Sequence, residues 1–213
     1  AIVGHVTSQN LSPESDPQTG TRTDSDARTA DLASRVKELM PGVRADLEAL
    51  TRIPSVSLDS FDQQHVEDSA QAVADLMTAE GMDVRIVREG GRPAVIGHLP
   101  GPEGAPTVLL YAHHDVQPPG DEADWDTPMF EPTEVDGRLY ARGIADDKAG
   151  VMAHVAALRA HGGRPPVGVT VFVEGEEEIA SESLPAILER HGDSLAADAI
   201  VLADSQNWKI GVP

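Results

Sequence analysis

The residues able to do chemistry in this chain cluster where its apolar runs end. Val108 to Val116 reads Val-Leu-Leu-Tyr-Ala-His-His-Asp-Val, an apolar stretch that stops on His113, His114 and Asp115. A neutral imidazole with a carboxylate close by is how proteins build and orient a metal ligand. A lone His-x-Asp is also an ordinary surface loop, so the remaining ligands have to come from elsewhere. Val167 to Val173 runs into Glu174, Glu176, Glu177 and Glu178, and Ala199 to Ala203 runs into Asp204. The loop Leu139 to Lys148 sets Asp146 and Asp147 just before a helical pattern, where the positive end of the helix dipole favours a carboxylate. Acids crowded on one rim raise one another's pKa unless a cation sits among them. Singly, each has a plain reading: a solvated loop for Glu176 to Glu178, an N-cap for Asp146, a turn residue for Asp204. Their coincidence is what points to a cation. His65, His98, His154, His161 and His191 lack such company and read as surface or structural residues. His114 points away from His113 if the strand geometry persists.

The elements that must position these groups follow from hydrophobic period. Residues 1–26 are rich in Ser, Thr, Asp, Pro, Gln and Gly and read as a disordered polar tail. Apolar residues recur at helical spacing over Ala27 to Met40 and Val43 to Leu50, with Pro41 and Gly42 as punctuation, which predicts two helices. Val66 to Glu80 repeats the pattern, with Gly81 where a helix C-terminus favours a left-handed residue. The period then shortens: Met82 to Val87, Ala94 to Leu99, Thr107 to Tyr111, Val167 to Val173 and Ala199 to Ala203 read as strands. Val-Asp-Gly-Arg within Glu134 to Tyr140 is a hairpin signal, and Lys148 to His161 is a helix closed by Gly162 and Gly163. Strands alternating with helices predict an α/β domain of three layers, a mostly parallel central sheet flanked by helices. In such sheets ligands bind beyond the carboxyl ends of the strands, where the acids and His113 fall.

Composition narrows the partners. The net charge of −20 argues against nucleic acid, whose phosphates demand Lys and Arg. No apolar run reaches the length of a membrane span, and Ala1 to Val6 is too short for a secretory core, which predicts a soluble cytoplasmic chain. With no cysteine, imidazole and carboxylate are the strong ligands available, suited to zinc, manganese, cobalt or a harder ion.

Four segments carry a resemblance. Tyr111 to Pro118, Leu139 to Lys148, Glu174 to Ser181 and Leu202 to Trp208 resemble the co-catalytic zinc peptidases, the family of carnosinases, bacterial dipeptidases, aminoacylase and carboxypeptidase G; the likeness runs in order from Val43 to Pro213. It implies two divalent ions, zinc first, with manganese or cobalt also accommodated. By position His113 resembles the imidazole ligand of the first ion and Asp115 the residue that holds its ring. Asp146 is similar to the carboxylate bridging both ions, Glu178 to a ligand of the second, and Asp204 to the last ligand of the first. Glu177 resembles the general base. The implied reaction is hydrolysis of a peptide bond by a hydroxide between the ions, with Glu177 moving the proton.

Asp rather than Glu at 204, Val-Gln-Pro after Asp115, Trp125 and Pro128-Met-Phe130 are similar to the dipeptidase branch. The expected substrate is therefore a dipeptide, with an N-acyl amino acid as the alternative. A non-catalytic cation-binding protein is the competing reading. Family members are longer, with a lid and dimerisation domain and a second catalytic half that supplies the final histidine of the second ion. On that resemblance residues 27–213 are the N-terminal part of the catalytic domain. The expectations are a complete first metal position, an incomplete second one, weak activity of this chain alone, an open sheet edge, and a homodimer of the longer protein through the lid.

Overall fold

The computed structural model describes residues 19–205. Its centre is a five-stranded sheet in the order β1-β2-β6-β3-β7. The strands are β1 (Asp83–Val87), β2 (Ala94–Leu99), β3 (Thr107–His113), β6 (Gly168–Glu174) and β7 (Ala199–Leu202). β3 is parallel to both β6 and β7, whereas β2 is antiparallel to both β1 and β6. Four strands thus run one way and β2 alone runs back. The hairpin β4 (Thr133–Val135) and β5 (Arg138–Tyr140) stands apart, turning through Asp136 and Gly137 with φ of 51° and 76°. That is the left-handed pair a tight two-residue hairpin requires.

β6 is buried at all seven positions, the signature of a central strand covered on both faces. Its alternate side chains divide between two cores. Val169, Val171 and Val173 face α1 (Thr19–Thr51), α2 (Gln64–Ala79) and α3 (Lys148–Ala160), packing with Leu50, Val73, Met77, Val151 and Val155. Phe172 faces the other way, toward Ile96, Leu109 and Ile187 of α4 (Leu184–Leu195). The result is three layers, with three helices on one face and α4 on the other.

The N-terminal region departs from expectation in two respects. A single helix, α1, runs through Pro41 instead of stopping there. Proline removes one backbone donor and crowds the preceding turn. The apolar stripe nevertheless continues at helical spacing across it, with Val43 and Leu50 in the core and Leu39 and Leu47 packed against it. Pro41 lies on the exposed side, so packing carries the helix past the interruption. α1 begins at Thr19, so residues 19–26 of the expected tail are helical, and the rest of that tail lies outside the described residues. α4 was not anticipated, although Pro185 in its first turn and Leu184, Ile187 and Leu188 at helical spacing mark it. Among the described residues no helix is long and apolar enough to cross a membrane.

Candidate metal centre

His113 is the last residue of β3, paired with Glu174 at the end of β6, so its ring emerges at the carboxyl rim. The ring is fully buried. Its Nδ1 lies 3.1 Å from the Asp115 carbonyl and 3.4 Å from Asp115 Oδ1. Both are acceptors, so Nδ1 carries the hydrogen. Nε2 is thereby turned toward three carboxylates: Asp146 Oδ1 at 3.2 Å, Glu177 Oε2 at 3.8 Å and Asp204 Oδ2 at 3.9 Å. One donor atom each from His113, Asp146 and Asp204 lies within 4.8 Å of the others, and so does one each from His113, Glu177 and Glu178.

Local structure explains each placement. Asp115 has a second task that its spacing alone did not reveal. Its Oδ1 accepts the N–H of Glu177 at 3.2 Å and its Oδ2 the N–H of Glu178 at 3.1 Å. One buried carboxylate therefore holds both the ring of His113 and the short 3-10 turn Glu177–Ile179. Glu176, expected as part of the acidic rim, is instead buried and structural. Its carboxylate accepts the Arg92 N–H at 2.9 Å and also the Ser183 N–H. Glu174 is buried as well and accepts the Tyr111 hydroxyl at 3.0 Å. Gly175 between them is dictated by space, because a Cβ there would lie 2.2 Å from the Pro93 carbonyl and 2.8 Å from His114 Nε2.

His114 faces the opposite side from His113, as alternation requires. Its Nε2–H donates to Pro93 O at 2.9 Å, and its own carbonyl accepts the Ser55 hydroxyl at 2.7 Å. His154, read from sequence as surface or structural, is structural: its ring donates to the Tyr111 carbonyl at 2.8 Å. Ala203 N–H donates to that same carbonyl at 3.1 Å, fixing the end of β7 just before Asp204. Glu178 is anchored by Gln117, whose side-chain amide donates to Glu178 Oε2 at 2.6 Å. Asp147 was expected only as one more acid on the rim, and Lys148 was given no role. Asp147 Oδ2 accepts the His113 N–H at 3.1 Å, and Lys148 Nζ donates to the carbonyls of Leu50 at 3.0 Å and Ile53 at 2.7 Å.

Electrostatics follow from burial and crowding. Burial works against a charged His113, but the hydrogen bond and charge of Asp115, with Asp147 and Glu177 near, prevail and hold the ring up at about 10. Burial pushes Asp147 up to about 7 and also raises Glu177 and Glu178. Asp115 is drawn upward by burial but ends below the ordinary carboxylate range because His113 donates to it. An excess of acid around one imidazolium is the arrangement a divalent cation relieves by taking the proton's place. The donor set, imidazole nitrogen and carboxylate oxygen with a second-sphere partner behind the ring, suits such an ion. Beside Asp146 and Asp204 opens a cleft of about 600 Å³ floored by Ala149, Gly150 and Ala153 of α3.

With this geometry in place, comparison with known proteins is informative. Residues 109–212 match peptidase family M20/M25/M40, and that segment belongs to it. The chain is 35% identical over 151 residues to a cysteinylglycine-S-conjugate dipeptidase of Corynebacterium striatum, covering 69% of this chain and 33% of that protein. It is 37% identical over 118 residues to the Beta-Ala-His dipeptidase of Rattus norvegicus, covering 53% of this chain and 24% of that one. The crystal structure of human carnosine dipeptidase 1 superposes with a TM-score of 0.77 at 28% identity, covering 84% of this chain and 41% of that one. The chain therefore spans less than half the length of each of these relatives.

Proposed function

We propose that this chain carries the metal-binding and proton-transfer residues of a metal-dependent dipeptidase. The observation that carries the reading is the His113 ring, backed at Nδ1 by Asp115 and facing Asp146, Asp204 and Glu177 at Nε2. His113, Asp146 and Asp204 would hold a first divalent ion, most readily zinc. Asp146 would be shared with a second ion that Glu178 also holds, and of the described residues this second position has the poorer set. When bound, such ions supply Lewis acidity, polarising a carbonyl and acidifying water.

The rest of the chemistry belongs to the chain. Glu177, raised by burial, is suited to accept the proton of the attacking water and return it to the departing amine. Asp115 keeps that carboxylate in range by gripping the backbone of its turn. The dipeptide assignment draws on Asp204 and on the names of the similar proteins, which act on cysteinylglycine conjugates and β-alanyl-histidine.

The test is hydrolysis of Cys-Gly and β-Ala-His, against an N-acetyl amino acid, in zinc, manganese or cobalt. In a longer form that carries the rest of the catalytic domain, Glu177→Gln is expected to lower the dipeptidase rate by roughly 10²–10⁴-fold with metal content unchanged. An unchanged rate would show that Glu177 is not the base, and preference for the acyl amino acid would replace the dipeptidase assignment.

A further inference from the structure

Asp147 stands at the N-cap of α3, where an aspartate ordinarily accepts a backbone N–H of the first helical turn. Here it makes no side-chain cap bond. Its carboxylate crosses instead to β3, and Oδ2 accepts the backbone N–H of His113 at 3.1 Å. The residue is 1% exposed, although its neighbour Asp146 has a side chain 62% exposed. The space it fills is matched by Gly150, one turn along α3. A Cβ on Gly150 would lie 2.1 Å from Asp147 Oδ1 and 2.7 Å from the Ala203 carbonyl.

This carboxylate joins the end of β3 that presents His113 to the loop that presents Asp146, and the Ala203 carbonyl, which leads to Asp204, borders the same space beside Gly150. We infer that Asp147 is a positioning residue, a buried strut that ties the backbone of one ligand to the loop carrying the next and fixes the spacing of the His113, Asp146 and Asp204 donors. Asp147 touches no reacting atom; it acts through the ligands. The inference rests on the metal reading above and adds a residue to it.

The adjacent Lys148 reinforces the same loop from behind. Its buried Nζ donates to the carbonyls of Leu50 at the end of α1 and Ile53 just beyond it, so the Asp146–Lys148 segment is held on both sides. Asp147 is the member of the pair that reaches a metal-ligating strand.

The experiment measures zinc affinity by chelator competition, and the visible ligand-field spectrum with cobalt, on the 213-residue chain and its variants, each checked for folding by circular dichroism. Asp147→Ala is expected to weaken zinc binding by roughly 10–100-fold and to alter the cobalt spectrum, the range for losing an outer partner of a ligand. Asp147→Asn keeps an acceptor for the His113 N–H and is expected to stay within about threefold of the parent with the parent's spectrum. Gly150→Ala, which leaves the carboxylate but displaces it, is expected to behave as Asp147→Ala does, and it carries the test if Asp147→Ala does not fold. A folded Asp147→Ala or Gly150→Ala with parental affinity and spectrum overturns the inference alone. A parent chain that takes up neither ion overturns the metal reading and this inference with it.

Discussion

His114 offers a test of how the strand end beneath the site is held. Its ring is fully buried, Nε2–H is donated to Pro93 O, and Nδ1 has no hydrogen-bond partner. A second proton would therefore place a charge in the interior, and burial depresses the ring from its ordinary value of 6.5 to about 4, overriding the pull of Asp115. Because the folded state takes up this proton later than the unfolded chain, His114 contributes stability that is complete above about pH 6.5 and is lost as pH falls toward 4. The gap corresponds to about 3 kcal/mol in full, most of which is lost on moving from pH 7.5 to 4.5.

Asp147 has the opposite sign, since a carboxyl held up at about 7 loses its stabilising contribution as pH rises through that value. The parent's own pH curve mixes these with Lys148, drawn down to about 7 by burial, and with the raised Glu177 and Glu178, so the informative quantity is the difference between the parent and His114→Gln. Glutamine keeps a donor for Pro93 and does not titrate. Urea unfolding followed by circular dichroism should show the parent losing about 2–3 kcal/mol relative to His114→Gln between pH 7.5 and 4.5. A difference constant to within about 0.5 kcal/mol across that range would refute the assignment of a neutral, uncompensated His114.

Three other outcomes follow from the geometry. Since the acids around His113 keep its ring protonated up to about pH 10 without a cation, zinc must displace that proton, and affinity measured by chelator competition should rise about tenfold per pH unit from 6 to 8; pH-independent affinity would contradict this. Gly175→Ala forces a Cβ against Pro93 O and the His114 ring and should destabilise by about 1–3 kcal/mol in urea unfolding, whereas Gly192→Ala, with nothing within 4 Å, should change little. The β7 edge leaves Ile200 and Leu202 64% and 63% exposed, so Ile200→Lys with Leu202→Lys should reduce concentration-dependent association seen by light scattering; equal association would place the contact elsewhere.

Much of the frame was legible because it depends on period. Ala94 to Leu99 and the helix before Gly81 follow directly from a short apolar run and from a left-handed C-terminal glycine, whose φ is 86°. The rim position of His113 followed from its place at the end of an apolar strand. What was not legible depends on partners distant in sequence. Pro41 looked like a break because the core that carries α1 past it lies on β2, β3, β6 and α3. Nothing local separates Glu174 and Glu176, which turn inward, from Glu177 and Glu178, which turn toward His113. That division is made by the Tyr111 hydroxyl for Glu174, by the N–H groups of Arg92 and Ser183 for Glu176, and by Asp115 for the other two. Asp147 read only as one more acid at the rim for the same reason, since the His113 N–H it accepts is 34 residues away.

The proposed metal centre depends on His113, Asp146 and Asp204 acting together as ligands. Calorimetric titration of zinc into the chain and into His113→Ala tests this directly. One saturable site in the parent, weakened by more than about 100-fold in a folded His113→Ala, is the predicted result. No saturable uptake by the parent, or equal uptake by His113→Ala, would contradict it.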